Sequence, residues 1–484
     1  MRKILSQKDG RILKLVELLY DKEELFMRDL CAELNVSSKT LKNDIENARL
    51  ILSPIDITVN GNKGVKLEIP SNYAITYVYT AVLAASLEYT LIEKIYLCET
   101  YTIDELAEEL FISSSSLRRM ISRVNSVLKE EEMEINSNPL QIIGNEWKIY
   151  NFFTHYLFEK YRLAKGIFTD AQINVANELS ILVLKQKYIA LEYRPKKQLE
   201  RYILVQLIRM KNNHFVKGES NPNRDNIFSD IDTSAIKKQL KESFYKEFSN
   251  QDLIQLFSIF LDGKWSFSYN QLIKNSKINS ELKLTKEKFE ELLESIASKY
   301  KIEQTNREEL LVQLCNYRML DYGAYFILYD NVSVVVNHFR HDYFKGIEFI
   351  RLKLTEIFQG ETLTEYKLND YISRLIIHWD KFLIELEKEV ISLKIGLVYY
   401  AEEHYLKLIQ EEISHRFKDR FETIIIDYDS LADVEKVRTQ CDLIVTNITR
   451  IVIPNLEVIC FPVYPKEKDW SRLESFYSNF NFTK

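Results

Sequence analysis

The chain repeats itself. Shifted by 76 residues, the segment Leu30-CAEL-Asn35-Val36-SSKT-Leu41 falls on Leu106-AEEL-Phe111-Ile112-SSSS-Leu117, and the apolar positions keep step as far as Leu52 and Leu128. A register held through helix and turn alike means two copies of one supersecondary unit, which constrains the fold more than any other feature. The spacing 41, 45, 48, 52 marks one face of a helix, and 117, 121, 124, 128 repeats it. A shorter helix is predicted before each (Met27–Leu34 and Ile103–Leu110), joined through Asn35 or Phe111. Ser37 and Ser113 then stand where an N-cap hydroxyl is wanted. Helix, short turn and Ser-capped helix is the helix-turn-helix plan.

The face opposite the core carries the chemistry. In the first copy it holds Ser38, Lys39, Thr40, Lys42, Asn43 and Arg49; in the second, Ser114, Ser115, Ser116, Arg118, Arg119, Ser122 and Arg123. From Ser113 to Lys129 there are four cationic residues and no acidic one, although the whole chain has a net charge of −6. Arg forks onto guanine or phosphate, Asn pairs with adenine, and hydroxyls near a helix N-terminus suit phosphate oxygens. The expected DNA-contacting set is therefore Ser38, Lys39, Thr40, Lys42, Asn43, Arg49, Lys63, Ser115, Ser116, Arg118, Arg119 and Arg123. Lys63 enters because Ile55–Ile69 alternates apolar and polar residues around NGNKG, a β-hairpin pattern that sets Asn62, Lys63 and Lys66 on a wing. A weaker hairpin signal, Met133 to Trp147, follows the second copy. Solvated basic faces and simple capping hairpins are the bland alternative to both readings.

Composition narrows the rest. Eleven Gly and eight Pro in 484 residues fall far below the usual share of about 12% together, which argues for a largely helical chain. Five scattered Cys without CxxC spacing form neither a disulfide framework nor a zinc site and fit a reducing cytoplasm. No signal peptide and no membrane span are expected. From about Phe168 to Lys388 the pattern is of amphipathic helices, again duplicated: Leu204-VQLIRMKNN-His214 matches Leu311-VQLCNYRML-Asp321, and Asp252-LIQLFSIF-Leu261 matches Asp370-YISRLIIH-Trp379. Two helical bundles in tandem follow. His214 and His378 are candidate nucleophiles, each with a non-His counterpart (Asp321 and Phe260), and a polar residue at a bundle interface is the plainer reading of either. His338 and His341 have metal-compatible spacing but no third ligand, and they read as a solvated helix face.

After Ile391 strands alternate with helices: Leu393–Tyr400, Glu402–Phe417, Phe421–Tyr428, Leu431–Gln440, Asp442–Asn447 and Leu456–Tyr464. That order predicts a small parallel sheet. The loop after its first strand, Tyr400-AEEH, offers neither a Gly-rich phosphate cradle nor a Cys nucleophile, so a pairing module is expected rather than an enzyme.

Taken together these segments resemble the Mga family of Gram-positive transcriptional regulators, which includes AtxA-type virulence regulators. The resemblance rests on domain order and on Leu30–Leu52 and Leu106–Leu128, and it covers essentially the whole chain. It implies a mainly α, multidomain protein: winged helix-turn-helix units at 1–72 and 73–164, helical phosphotransferase-system regulation domains at 165–282 and 283–389, and an enzyme-IIB-like α/β domain at 390–484. It further implies a cytoplasmic regulator, often an activator, that binds double-stranded DNA as a homodimer or higher oligomer. Control by the phosphocarrier protein of the sugar phosphotransferase system would act on His214 and His378, with no cofactor, no metal and no membrane. Asp321 and Phe260 depart from the family's other acceptor positions, so such control is reduced. The rival reading is a phosphotransfer or sensor protein whose helix-turn-helix units dock protein partners. An RNA antiterminator would need a β-rich front module in place of two helical readers.

Overall fold

The computed structural model describes residues 1–22, 24–61, 64–161, 166–186, 193–216, 232–258, 263–319, 325–361, 363–387, 392–426 and 440–483. Its contacts group into two units, Met1–Leu282 with Asn316–Asp330, and Lys283–Cys315 with Asn331–Lys484.

In the first unit the two readers are built on one plan. The first comprises α1 (Gln7–Asp21), β1 (Leu25–Phe26), α2 (Met27–Leu34), α3 (Ser38–Leu52), β2 (Asp56–Val59) and β3 (Gly64–Glu68). Helices α4 (Thr76–Ala85) and α5 (Leu87–Leu97) then lead to α6 (Ile103–Glu109), α7 (Ser114–Leu128), β4 (Met133–Ser137), β5 (Leu140–Gly144) and α8 (Glu146–Tyr161). Leu41, Ile45, Ala48 and Leu52 are buried, as are Leu117, Ile121, Val124 and Leu128, so the repeat's apolar face is the core face. Both hairpins form in the expected places. The first has an addition the sequence did not announce: Leu25 and Phe26 pair antiparallel with Val65 and Gly64, giving a three-stranded sheet in the order β1-β3-β2. The second remains a two-stranded sheet.

Helices α9 (Asp170–Gln186), α10 (Tyr193–Lys211), α11 (Ser234–Phe244), α12 (Asn250–Leu256) and α13 (Tyr269–Ile278) complete the first unit's helical part. Its apolar core is continuous from Ile4 through Leu128, Phe153 and Leu204 to Phe257, and it takes in Phe326 and Leu328. The boundaries expected near residues 72 and 164 divide sequence repeats, whereas the packing of readers and bundle is shared.

The second unit contains the helices α14 (Ser280–Tyr300), α15 (Arg307–Met319), α16 (Asn331–Asp342), α17 (Phe344–Ile357), α18 (Glu365–His378) and α19 (Phe382–Glu387), the first two in part. Beyond them β6 (Leu393–Val398), β7 (Phe421–Ile425), β8 (Leu443–Thr446) and β9 (Glu457–Cys460) form a wholly parallel sheet in the order β7-β6-β8-β9. Helix α20 (Glu403–Phe417) crosses between its first two strands. A terminal helix, α21 (Glu467–Thr483), places Trp470, Leu473 and Tyr477 in the apolar core against the sheet. The helix expected at Leu431–Gln440 lies almost entirely outside the described residues, as do Asp321 and Phe260.

Candidate nucleic-acid interface

The turn that aims each reader helix is set by two local devices. Asn35 and Phe111 take the left-handed backbone region, at φ 51° and 56°, and so reverse the chain in one residue. Asn tolerates that conformation, because its short amide bonds locally; Phe has no such compensation. The next helix is then capped: Ser37 Oγ accepts from the Thr40 amide at 3.1 Å, and Ser113 Oγ from the Ser116 amide at 3.2 Å. The N-terminal amides of α3 and α7 thus point outward with their positive dipole end. Helix α6 has its own capping box between Thr102 and Glu105.

On α3, Ser38, Lys39, Lys42 and Asn43 are exposed, and Thr40 is half-buried with its hydroxyl 2.9 Å from Ser37 Oγ. Arg49, counted among the reading residues from the sequence, is engaged inside the reader. Its Nε donates to the Ile57 carbonyl at 2.8 Å and lies 3.1 Å from Asp56 Oδ1, so it braces α3 against its own wing. Lys63 and Asn62 fall outside the described residues, and Lys66 lies 3.8 Å from Glu24. Behind the helix, buried Asp44 takes a two-pronged bond from Arg11 of α1 at 2.9 and 3.1 Å.

On α7, Ser115, Arg118, Arg119 and Ser122 are exposed, with Ser114 and Ser116 half-buried. Arg119 donates only to the Ser116 hydroxyl, at 3.3 Å, and Arg118 has no protein partner among the described residues. Arg123, also expected on the reading face, is engaged within the fold. Its guanidinium donates to the Leu5 carbonyl at 3.1 Å and pairs with Glu88, a carboxylate only 5% exposed. The sequence shows no acid near Arg123, because Glu88 arrives from α5. Lys129 is likewise paired, with Glu134 of the wing at 2.8 Å. Asn125 is absorbed into the scaffold: its amide both donates to and accepts from the Ile135 backbone, at 2.9 and 2.7 Å, pinning α7 to β4. Between α7 and this wing lies a hollow of about 380 Å³, lined by Arg118, Ser122, Ser126, Lys129 and Ser137 over a floor of Ile121 and Asn125.

Two Ser-capped helices with outward amides, hydroxyls and cations, each followed by a β-hairpin, define a tandem winged helix-turn-helix protein. Residues 6–53 match the M protein trans-acting positive regulator (MGA) helix-turn-helix domain, and residues 71–157 match the Mga helix-turn-helix domain. Among relatives, a Streptococcus pneumoniae protein named for trans-acting regulation is 25% identical over 94% of both chains. The Bacillus anthracis capsule synthesis positive regulator AcpB is 20% identical over 96% of this chain and 98% of its own. AcpA of the same organism is 26% identical over 51% of this chain and 49% of its own. Through both readers the chain is similar to Mga-family regulators.

The histidines stand apart from this face. His214 follows α10, and its Nε2 lies 2.8 Å from both Glu99 oxygens. His378 ends α18, half-buried, and its ring has no hydrogen-bond partner among the described residues. Burial, with Arg374 adding to it, holds its pKa below the usual imidazole value. Among the described residues no cluster of His, Cys, Asp and Glu fits a metal ion, and no helix is long and apolar enough to cross a membrane.

Sequence reasoning missed the most buried charge among the described residues. Arg209 is fully buried, with Glu99 and Glu146 against it. Its only trace in the sequence is a single charge inside the apolar run Leu204-VQLIRM.

Proposed function

We propose that the chain is a DNA-binding transcriptional regulator, an activator in the manner its relatives' names describe, that grips double-stranded DNA with both readers. One observation carries this reading: two register-matched, Ser-capped helices present Lys39, Lys42, Arg118 and Arg119 outward, beside wings, on a chain of net negative charge. The hollow between α7 and its wing is hydroxyl-rich and Arg-edged, suited to a backbone phosphate. Gel-shift titration of Arg118→Ala with Arg119→Ala tests it; binding should fall at least tenfold at unchanged helicity and oligomer size. Undiminished binding overturns the assignment.

Control by oligomerisation and by His phosphorylation belongs to the same proposal. His378 suits a phosphoacceptor better than His214, because an unpartnered neutral imidazole keeps a lone pair for phosphorus. A phosphate there adds up to two negative charges to a helix that also exposes Ile377. Exposed Leu352, Ile377 and Ile384 in the helical part, and Tyr400, Val452 and Val463 in the α/β part, supply apolar area for pairing two chains. The α/β part serves there as an enzyme-IIB-like module without catalysis, since Glu402 and Glu403 stand where its first loop enters α20. Sedimentation of wild type against His378→Asp tests the switch: a changed monomer–dimer balance is expected, and identical profiles count against it. The rival phosphotransfer reading requires stoichiometric label from phosphorylated carrier protein with no DNA affinity at low salt.

A further inference from the structure

We infer that Arg209 is a positioning residue of the second reader, through which the helical bundle holds the root of the second wing. The inference rests on the DNA-binding reading only for its effect on affinity; the grip itself is a matter of structure.

The guanidinium of Arg209 is 0% exposed and spends its donors on three separate stretches of the reader. It forks onto Glu146, at the start of α8, with Nη2 at 2.6 Å and Nε at 3.0 Å. Nη1 reaches Glu99, in the segment between α5 and α6, at 3.0 Å. Nη2 also donates to the carbonyl of Ile142 in strand β5, at 2.8 Å. His214 closes the cluster from its outer edge, donating from Nε2 to Glu99, with Nδ1 3.7 Å from Glu146. Two carboxylates, each about a tenth exposed, are thus matched by one guanidinium and one imidazole, all supplied across the join between bundle and reader.

This wing needs such a hold. A two-stranded hairpin is marginal by itself. The first wing gains β1 as a third strand, whereas the second pairs only β4 with β5. Beside the exposed Lys129–Glu134 pair, its polar anchors include Asn125 on Ile135 and Arg209 on Ile142, and these two isoleucines lie directly opposite each other in the hairpin register. Ser137, at the end of β4, lines the hollow beside Arg118. Slackening the Ile142 anchor therefore alters the space offered to DNA, and His214 is coupled to that anchor through Glu99.

Hydrogen exchange and DNA titration of the full-length chain test this together. Arg209→Lys keeps the charge but loses the fork, and Glu99→Gln is a gentler variant that weakens the Glu99 contacts to Arg209 and His214 while leaving the fork on Glu146 and the Ile142 bond in place. For each, exchange across residues 133–144 should quicken by about tenfold or more for Arg209→Lys and less for Glu99→Gln, with residues 56–68 unchanged. DNA affinity should fall in the same order. Unchanged exchange in 133–144, or equal quickening in both hairpins, overturns the inference. A wild-type chain with no DNA affinity would defeat the DNA-binding reading alone, because the exchange comparison still decides whether Arg209 holds the wing.

Discussion

The two readers share a backbone and differ in what stiffens them. The first braces its own wing and helices: β1 completes its sheet, Arg49 ties α3 to β2, and Arg11 ties α1 to buried Asp44. The second is fastened from outside. Arg123 reaches back to Glu88 and Leu5, and Arg209 of the bundle grips β5 and α8. A duplicated unit can thus keep its surface chemistry while one copy braces its wing from within and the other takes that bracing from its neighbours.

The largest expected effect separates the two modes of support. Arg209→Met strands two carboxylates in a buried site, which costs about 3–5 kcal/mol. Arg11→Met strands a single carboxylate, that of Asp44, 4% exposed, and leaves no backbone carbonyl unpaired, so a loss at the low end of that range, about 3 kcal/mol, is expected. Urea unfolding followed at the first unit measures both, and equal losses would remove the distinction.

Acid provides the next test. The second reader holds a buried imidazole, His155, whose pKa burial pushes down to about 4, while residues 1–72 contain no His. The unfolded chain takes up this proton near 6.5 and the folded chain does not. Stability from this group is therefore complete above pH 6.5 and declines as pH falls toward 4, by about 3 kcal/mol in all. Melting curves from pH 7 to 4 should show the decline, and His155→Phe should flatten it. A variant that declines as steeply as wild type would place the acid sensitivity elsewhere.

A smaller effect concerns the turns. Asn35 and Phe111 occupy equivalent left-handed positions, and Phe111 is 95% exposed, so its ring gains almost nothing from packing. Phe111→Asn should raise stability by about 1 kcal/mol, and Asn35→Phe should lower it by as much. Opposite signs in thermal melts would mean that backbone strain does not govern the turn.

What could be read from the sequence was what repeats or alternates. Apolar spacing gave α3 and α7, Ser37 and Ser113 marked the caps, and alternation around NGNKG and NSNP gave both hairpins. Long-range partners were invisible. Leu25 and Phe26 become a strand only because Val65 lies opposite, and Arg123 looks free until α5 brings Glu88 to it. Arg49 and Lys129 followed the same course, since a helical wheel states which way a Cα–Cβ bond points but not where a long side chain ends. Helix α21 was legible in principle from Trp470, Leu473 and Tyr477, spaced three and four apart.

The most direct test is the affinity of the full-length chain for random double-stranded DNA across a salt series, with and without its outward cations. Lys39, Lys42, Arg118 and Arg119 neutralising one phosphate each give a slope of log K against log salt of about −3.6 per chain. Replacing either pair by Ala should make that slope shallower by about 1.8, whereas replacing internally paired Arg49 should leave it nearly unchanged. Affinity that ignores salt, or that survives the loss of all four, would contradict a DNA-gripping role for the paired readers.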